Sequence, residues 1–252
     1  MGKSSKEALS KVPEVTLIFW VVKILATTLG ETGGDTLSMS MGLGYLASTG
    51  IFAACFLMAV AVQIMASRFH AVIYWVTIIA TTTVGTTLAD FADRSLGIGY
   101  AGGTVLLATL LAVSLSVWKR TLGSVAVDTV NSTESEIFYW ITIMFSQTLG
   151  TALGDWVADT AGVGYGGGVI IFVVMLALIA AAYYWSKVTH TILFWAAFIL
   201  TRPLGAVVGD FLDKPKSQGG LDLSRYTASA TLLAMIFVFI FIFPHRPAIR
   251  RH

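Results

Sequence analysis

Four aspartates dominate what this sequence could do chemically. Asp35, Asp90, Asp155 and Asp210 each lie five residues after a glycine (Gly30, Gly85, Gly150, Gly205) and fifteen after a tryptophan (Trp20, Trp75, Trp140, Trp195). At 1.5 Å per residue a helix places each aspartate about 22 Å beyond its tryptophan. Residues four apart share a helix face. The stripe that ends on each aspartate reads Lys23, Thr27, Glu31, Asp35; then Ile78, Thr82, Thr86, Asp90; then Ile143, Gln147, Thr151, Asp155; then Phe198, Arg202, Ala206, Asp210. Every ionisable residue of these aligned helix cores falls on that one face. Carboxylates with neutral hydroxyl and amide oxygens suit hard cations, and clustered carboxyls can also take up protons. The candidate cation or proton ligands are therefore Asp35, Asp90, Asp155, Asp210 and Glu31, with Thr27, Thr82, Gln147 and Thr151 as neutral oxygens. For a metal ion the set narrows to Glu31, Asp35, Asp90, Asp155 and Asp210. Lys23 and Arg202 would balance charge. Five acids against two bases leave −3, an imbalance that low dielectric does not tolerate without a cation or protons.

These residues recur because the chain repeats. Residues 19–35, 74–90, 139–155 and 194–210 align without gaps, each opening on an aromatic–Trp pair. Successive copies are 55, 65 and 55 residues apart, read from Trp20, Trp75, Trp140 and Trp195. A second apolar run follows each copy, at about 46–66, 101–117, 166–185 and 226–243. A G-h-G-Y turn precedes it in the first three copies, and a polar loop, 214–224, in the fourth.

Composition says what surrounds them. The 252 residues are 56% hydrophobic and 12% charged, with a mean hydropathy of +0.80, whereas a soluble domain carries about 25% charged residues. A span needs about 20 apolar residues. The expected fold is an all-α integral membrane protein with eight transmembrane helices from four parallel two-helix hairpin repeats. Their arrangement would be pseudo-fourfold or two-by-two. The expected segments are an N-terminal stretch (1–13), hairpins at 14–66 and 67–118, a linker (119–136), hairpins at 137–186 and 187–244, and a basic tail (245–252). Lysines and arginines concentrate on the side of the two termini, which the positive-inside rule places in the cytoplasm. The opposite loops hold only Arg94, Lys214, Lys216 and Arg225.

Several residues have a structural reading beside the chemical one. The four glycines either let helices approach closely or break them, with a kink at Pro203 in copy four. The aspartates could cap helices. Lys23–Glu31 and Arg202–Asp210 could be packing ion pairs. The tryptophans read as interfacial anchors, and Asp93, Asp159 and Asp213 as a solvated rim. Cys55 stands alone, so no intramolecular disulfide exists. No P-loop, H-E-x-x-H or G-x-S-x-G occurs, so an enzyme is not expected. No cofactor is implied beyond a bound metal cation. The expected partners are the lipid bilayer and a small cation, not nucleic acid; self-association as a homo-oligomer stays open.

The opening stretch KVPEVTLIFWVVKILATTLGETGGD and the later ILTRPLGAVVGDFL resemble a family of repeat-containing bacterial inner-membrane proteins described as membrane-anchored. The resemblance covers nearly the whole chain and implies localisation in the bacterial inner membrane. It brings no site residues with it. Glu31-Thr32-Gly33-Gly34-Asp35-Thr36 also resembles the E-x-G-D-[KR]-[TS] motif of manganese/calcium cation–proton exchangers. It is one residue longer before the aspartate, lacks the basic residue and occurs in one copy. That likeness implies divalent-metal transport. The expected function is thus a transporter or channel for a small cation, with a divalent metal such as manganese and proton coupling as the options the motif raises; the alternative is a non-transporting membrane scaffold or helper subunit whose stripe is structural.

Overall fold

The computed structural model describes residues 9–160 and 162–248. The outer parts of the two terminal segments, with Lys3, Lys6, Arg250 and Arg251, lie outside the described residues. Among the described residues eight long helices form: α1 (Leu17–Asp35), α2 (Gly44–Met65), α3 (Ala71–Asp90), α4 (Gly99–Leu122), α5 (Thr133–Asp155), α6 (Gly164–Trp185), α7 (His190–Asp213) and α8 (Arg225–Ile242). Seven of them are long and apolar enough to cross a membrane, judged by length and composition; α5, with Glu134 and Glu136 in its first turn, is the exception. This is compatible with a multi-pass membrane protein.

The odd-numbered helices pack in a closed ring, α1 on α3, α3 on α5, α5 on α7 and α7 on α1. Each even-numbered helix lies against the first helix of the next copy. Thus α2 packs along α3, α4 along α5, α6 along α7, and α8 returns to α1. The outer helix of each copy therefore clamps its neighbour, and α8 closes the circle. Polarity is inverted relative to a soluble bundle. Lys23, Glu31, Arg202 and all four repeat aspartates are buried, whereas Leu57, Met58 and Met65 on α2, Ile170 and Leu178 on α6, and Phe241 on α8 face outward.

The four glycines decide how close the ring helices come. A Cβ on Gly30 would meet Thr82, one on Gly85 would meet the backbone of Gln147, one on Gly150 would strike Arg202, and one on Gly205 would strike Thr27. Each copy's glycine is thus the seat for the second stripe residue of the following copy, and the series closes from copy four to copy one. These glycines pack rather than break. They lie inside uninterrupted α-helix, and so does Pro203. The departure from α geometry comes after the aspartates, where Thr36–Ser40, Phe91–Ser95 and Trp156–Thr160 each make one turn of π-helix. Copy four lacks this turn and stays α-helical to Asp213. Gly205→Ala is expected to destabilise the protein by about 1–3 kcal/mol through overpacking against Thr27. Gly50→Ala, with nothing within 4 Å of the new methyl, should be neutral. Thermal unfolding in detergent compares the two.

At the other end of the ring the aromatic–Trp pairs also interlock in order. Phe19 packs on Trp75 at 5.4 Å, Tyr74 on Trp140 at 5.8 Å, Tyr139 on Trp195 at 6.3 Å and Phe194 on Trp20 at 5.8 Å between ring centroids. The Tyr74 and Tyr139 hydroxyls share a 2.7 Å hydrogen bond. Trp75, Trp140 and Trp195 are buried, and only Trp20 is partly open. The interfacial-anchor expectation is therefore corrected. These rings face one another and close the end of the bundle. The segment between α4 and α5 covers that end, with Val127 and Val130 buried against the aromatic cluster. The Trp195 indole N–H donates to the Val125 carbonyl at 2.9 Å.

Candidate functional site

The site is built in layers along the inside of the ring. At the end away from the aromatic rings lie the four repeat aspartates, all buried. Each has a basic partner that the sequence had placed in loops. Arg94 bridges Asp90 at 3.0 Å and Asp155 at 3.1 Å. Lys214 bridges Asp35 at 2.8 Å and Asp210 at 3.0 Å. Arg225 pairs with Asp213 at 2.9 Å and reaches Asp35 at 3.7 Å. The aspartates do not cap α2, α4 or α6, whose first turns carry no side-chain cap.

The copy-four loop is what delivers Lys214. Its backbone folds back along the end of α7, with Leu221 N–H on the Phe211 carbonyl and Asp222 N–H on that of Lys214. Gly220 lies so close to the Lys214 backbone that any Cβ would collide. Burial works against the Lys214 ammonium, but the carboxylates of Asp210, Asp35 and Asp213 outweigh it and hold its pKa well above the ordinary lysine range.

One turn further in, Glu31 meets Arg202 at 3.0 Å. The same guanidinium nitrogen, Nη2, donates to Thr86 at 2.6 Å and to Thr151. One nitrogen thus joins acceptors from copies one, two and three. Thr86 Oγ1 in turn lies 3.4 Å from Glu31 Oε2. Below this come Thr27, Thr82 and Gln147, level with Arg202 itself, and then Lys23, whose ammonium sits 4.2 Å over the Phe198 ring.

Carboxylate oxygens of Glu31, Asp35 and Asp90 all lie within 4.8 Å of one another, and so do those of Asp35, Asp210 and Asp213. Either trio has the donor type and spacing for a hard cation of the magnesium, manganese or calcium class. Asp155 belongs to neither and is held by Arg94.

Four expectations need correction. The charge imbalance of −3 shrinks, because Arg94, Lys214 and Arg225 turn inward; with Asp213 added, and Lys23 left out because it lies about three turns from the aspartates, six acids face four bases around the carboxylates. Lys23 is not paired with Glu31, nor Arg202 with Asp210: Arg202 takes Glu31 across the α1–α7 contact, Lys214 takes Asp210, and Lys23 has no hydrogen-bond partner among the described residues. Thr27, Thr82 and Gln147 sit two helical turns, about 12 Å, from the aspartates and cannot share one ion with them. Thr27 is also committed to the Thr201 and Lys23 carbonyls. Thr86 is the hydroxyl that reaches the carboxylate cluster. Asp93 and Asp213 are buried rather than a solvated rim, whereas Asp159 is exposed.

Sequence signals for two of the missed cations existed. Arg94 follows Asp90, and Lys214 follows Asp210, by four residues, the spacing at which helical side chains meet. Arg225 comes from beyond a loop and had no such signal.

No curated protein and no solved structure matches this chain. A family model for a sequence repeat matches four times, over residues 18–69, 73–124, 138–189 and 193–246. Each match spans one inner helix and the outer helix that follows it, and residues 125–137 fall between the second and third. On that match the chain belongs to the family described as Repeat of Unknown Function (DUF347), of which it carries four copies.

Proposed function

We propose that this is a multi-pass protein of the bacterial inner membrane, with both termini cytoplasmic, that binds and moves a small cation through its buried carboxylate cluster. Eight helices would span the bilayer as four parallel repeats in a pseudo-fourfold ring. The outward apolar and inward charged faces support that placement, because lipid rewards the first and isolates the second.

The observation that carries the cation reading is the Glu31–Asp35–Asp90 trio, three buried carboxylates within ligand reach of one another. Around it, six acids (Glu31, Asp35, Asp90, Asp155, Asp210, Asp213) face four bases (Arg94, Arg202, Lys214, Arg225), a formal balance of −2. One divalent cation, or two protons, makes it neutral. Lys214 and Arg94 each bridge two aspartates. An arriving cation would take over part of that role and release a bridge, which couples occupancy to the loops that carry the bases. The interlocked aromatic rings close the other end, so passage requires them to part. This favours alternating access over a standing pore. No enzymatic step is part of the proposal.

The test is manganese binding by the purified protein, followed through loss of the free-ion paramagnetic resonance signal. Glu31→Gln with Asp90→Asn should weaken binding at least tenfold. Asp159→Asn, at an exposed position, should leave it unchanged. Equal binding by all three proteins would sink the assignment. The scaffold reading has its own support, since every repeat aspartate already has a basic partner. Under that reading the double variant loses stability but no ion affinity.

A further inference from the structure

The middle of the ring holds polar groups that the carboxylate cluster does not use. Lys23 Nζ, Arg202 Nε and Nη1, both polar side-chain atoms of Gln147, and Thr82 Oγ1 are buried without a hydrogen-bond partner among the described residues. All four residues are fully enclosed, at 0% exposure. Buried polar groups ordinarily have partners, and leaving a charged one without is costly. Such atoms occur elsewhere in the protein too, but these four residues lie on the inward stripes of the four ring helices.

Their placement follows from the glycine seats. Thr82, Gln147 and Arg202 each rest on the glycine of the preceding copy, Gly30, Gly85 and Gly150, which sets three different helices at one level. Lys23 lies one turn nearer the aromatic rings on α1, over Phe198, and Phe198 is one turn from Arg202 on α7. Lys23 and Arg202 thus lie one turn apart along the packed helices α1 and α7, with Gln147 and Thr82 at the Arg202 level, and it is the interior of the ring at this level that they border.

We infer that this space is a binding site for one small monovalent anion, held between Lys23 and Arg202. Four groups there can donate: an ammonium, the Nε–Nη1 edge of a guanidinium, an amide and a hydroxyl. The charge count selects the ligand. With Lys23 protonated, it and Arg202 contribute two positive charges at this level, and Glu31, paired with Arg202, is the acid that reaches it, leaving +1. A chloride- or nitrate-sized anion neutralises that; a dianion overshoots. The aspartates do not serve, because Lys214, Arg225 and Arg94 already hold them one or more turns away. Neighbouring Ile78, Ile143 and Phe198 are apolar and fully buried, so they offer no competing acceptor. The site shares the Arg202–Glu31 pair with the cation cluster, but its donors, Lys23, the free edge of Arg202, Gln147 and Thr82, include none of the aspartates.

The test is thermal unfolding of the purified protein in nanodiscs, at constant sodium, with chloride replacing gluconate. Gluconate is a much larger anion than chloride. The native chain should be stabilised by chloride along a saturating curve. Lys23→Met should be at least as stable as the native chain in gluconate, because it removes a buried amine without a hydrogen-bond partner, and should show no chloride response. Gln147→Leu should shift the chloride midpoint severalfold, which keeps the test valid if Lys23→Met cannot be recovered folded. Asp35→Asn should keep the full chloride response, separating this site from the cation cluster. An identical native stability in chloride and gluconate overturns the inference. So does a chloride response that survives in Lys23→Met or is unchanged in Gln147→Leu.

Discussion

Arg202→Met is expected to be the most damaging single substitution in the bundle, costing about 3–5 kcal/mol, the range for removing one partner of a buried ion pair. Its Nη2 nitrogen alone holds Glu31, Thr86 and Thr151, so three copies lose a common donor. Most of the loss comes from the carboxylate left behind. Adding Glu31→Gln to Arg202→Met should therefore recover a large part of it, because a neutral amide tolerates burial better than a lone charge. Arg202→Lys should not substitute, since a single ammonium lacks the planar fork that spans these acceptors. Unfolding of the four proteins in mixed detergent micelles gives the comparison. If Arg202→Met and the double variant are equally unstable, the pair is not what holds α1 to α7.

Trp75→Ala is the second large effect, about 3–5 kcal/mol for emptying a buried aromatic site. Trp75 is fully enclosed and packs on both Phe19 and Tyr74. Trp20→Ala, at the partly open position, should cost roughly 1 kcal/mol, the scale of its aromatic pairs with Phe19 and Phe194. Four interfacial anchors would instead respond alike. The same unfolding assay separates the two outcomes, and equal losses at Trp20 and Trp75 would restore the anchor reading.

The repeat was fully legible because each inner helix must offer the same two faces to its neighbours, and that demand fixes glycine and aspartate positions. The buried polar face was legible for the same reason: a four-residue step read from Asp35 back to Lys23 stays on one side of a helix. One more step was available. Phe19, Tyr74, Tyr139 and Phe194 lie four residues before Lys23, Ile78, Ile143 and Phe198, so the aromatic rings continue the inward stripe. Applying a rule for lipid-facing tryptophans to them hid that. The cyclic order, with α8 returning to α1, depends on which surfaces meet and leaves no local mark in the sequence. Arg225 reaches Asp213 and Asp35 only through the fold of the copy-four loop, so its place in the site could not be read from spacing.

The carboxylate cluster is tested most directly by manganese uptake into proteoliposomes containing the purified protein. The native chain should load the vesicles, and Glu31→Gln with Asp90→Asn should reduce the initial rate at least tenfold at equal protein content. Uptake by the double variant at the native rate, or none above empty vesicles by the native chain for manganese, magnesium, calcium or protons, would contradict cation transport and leave the buried charges a structural role.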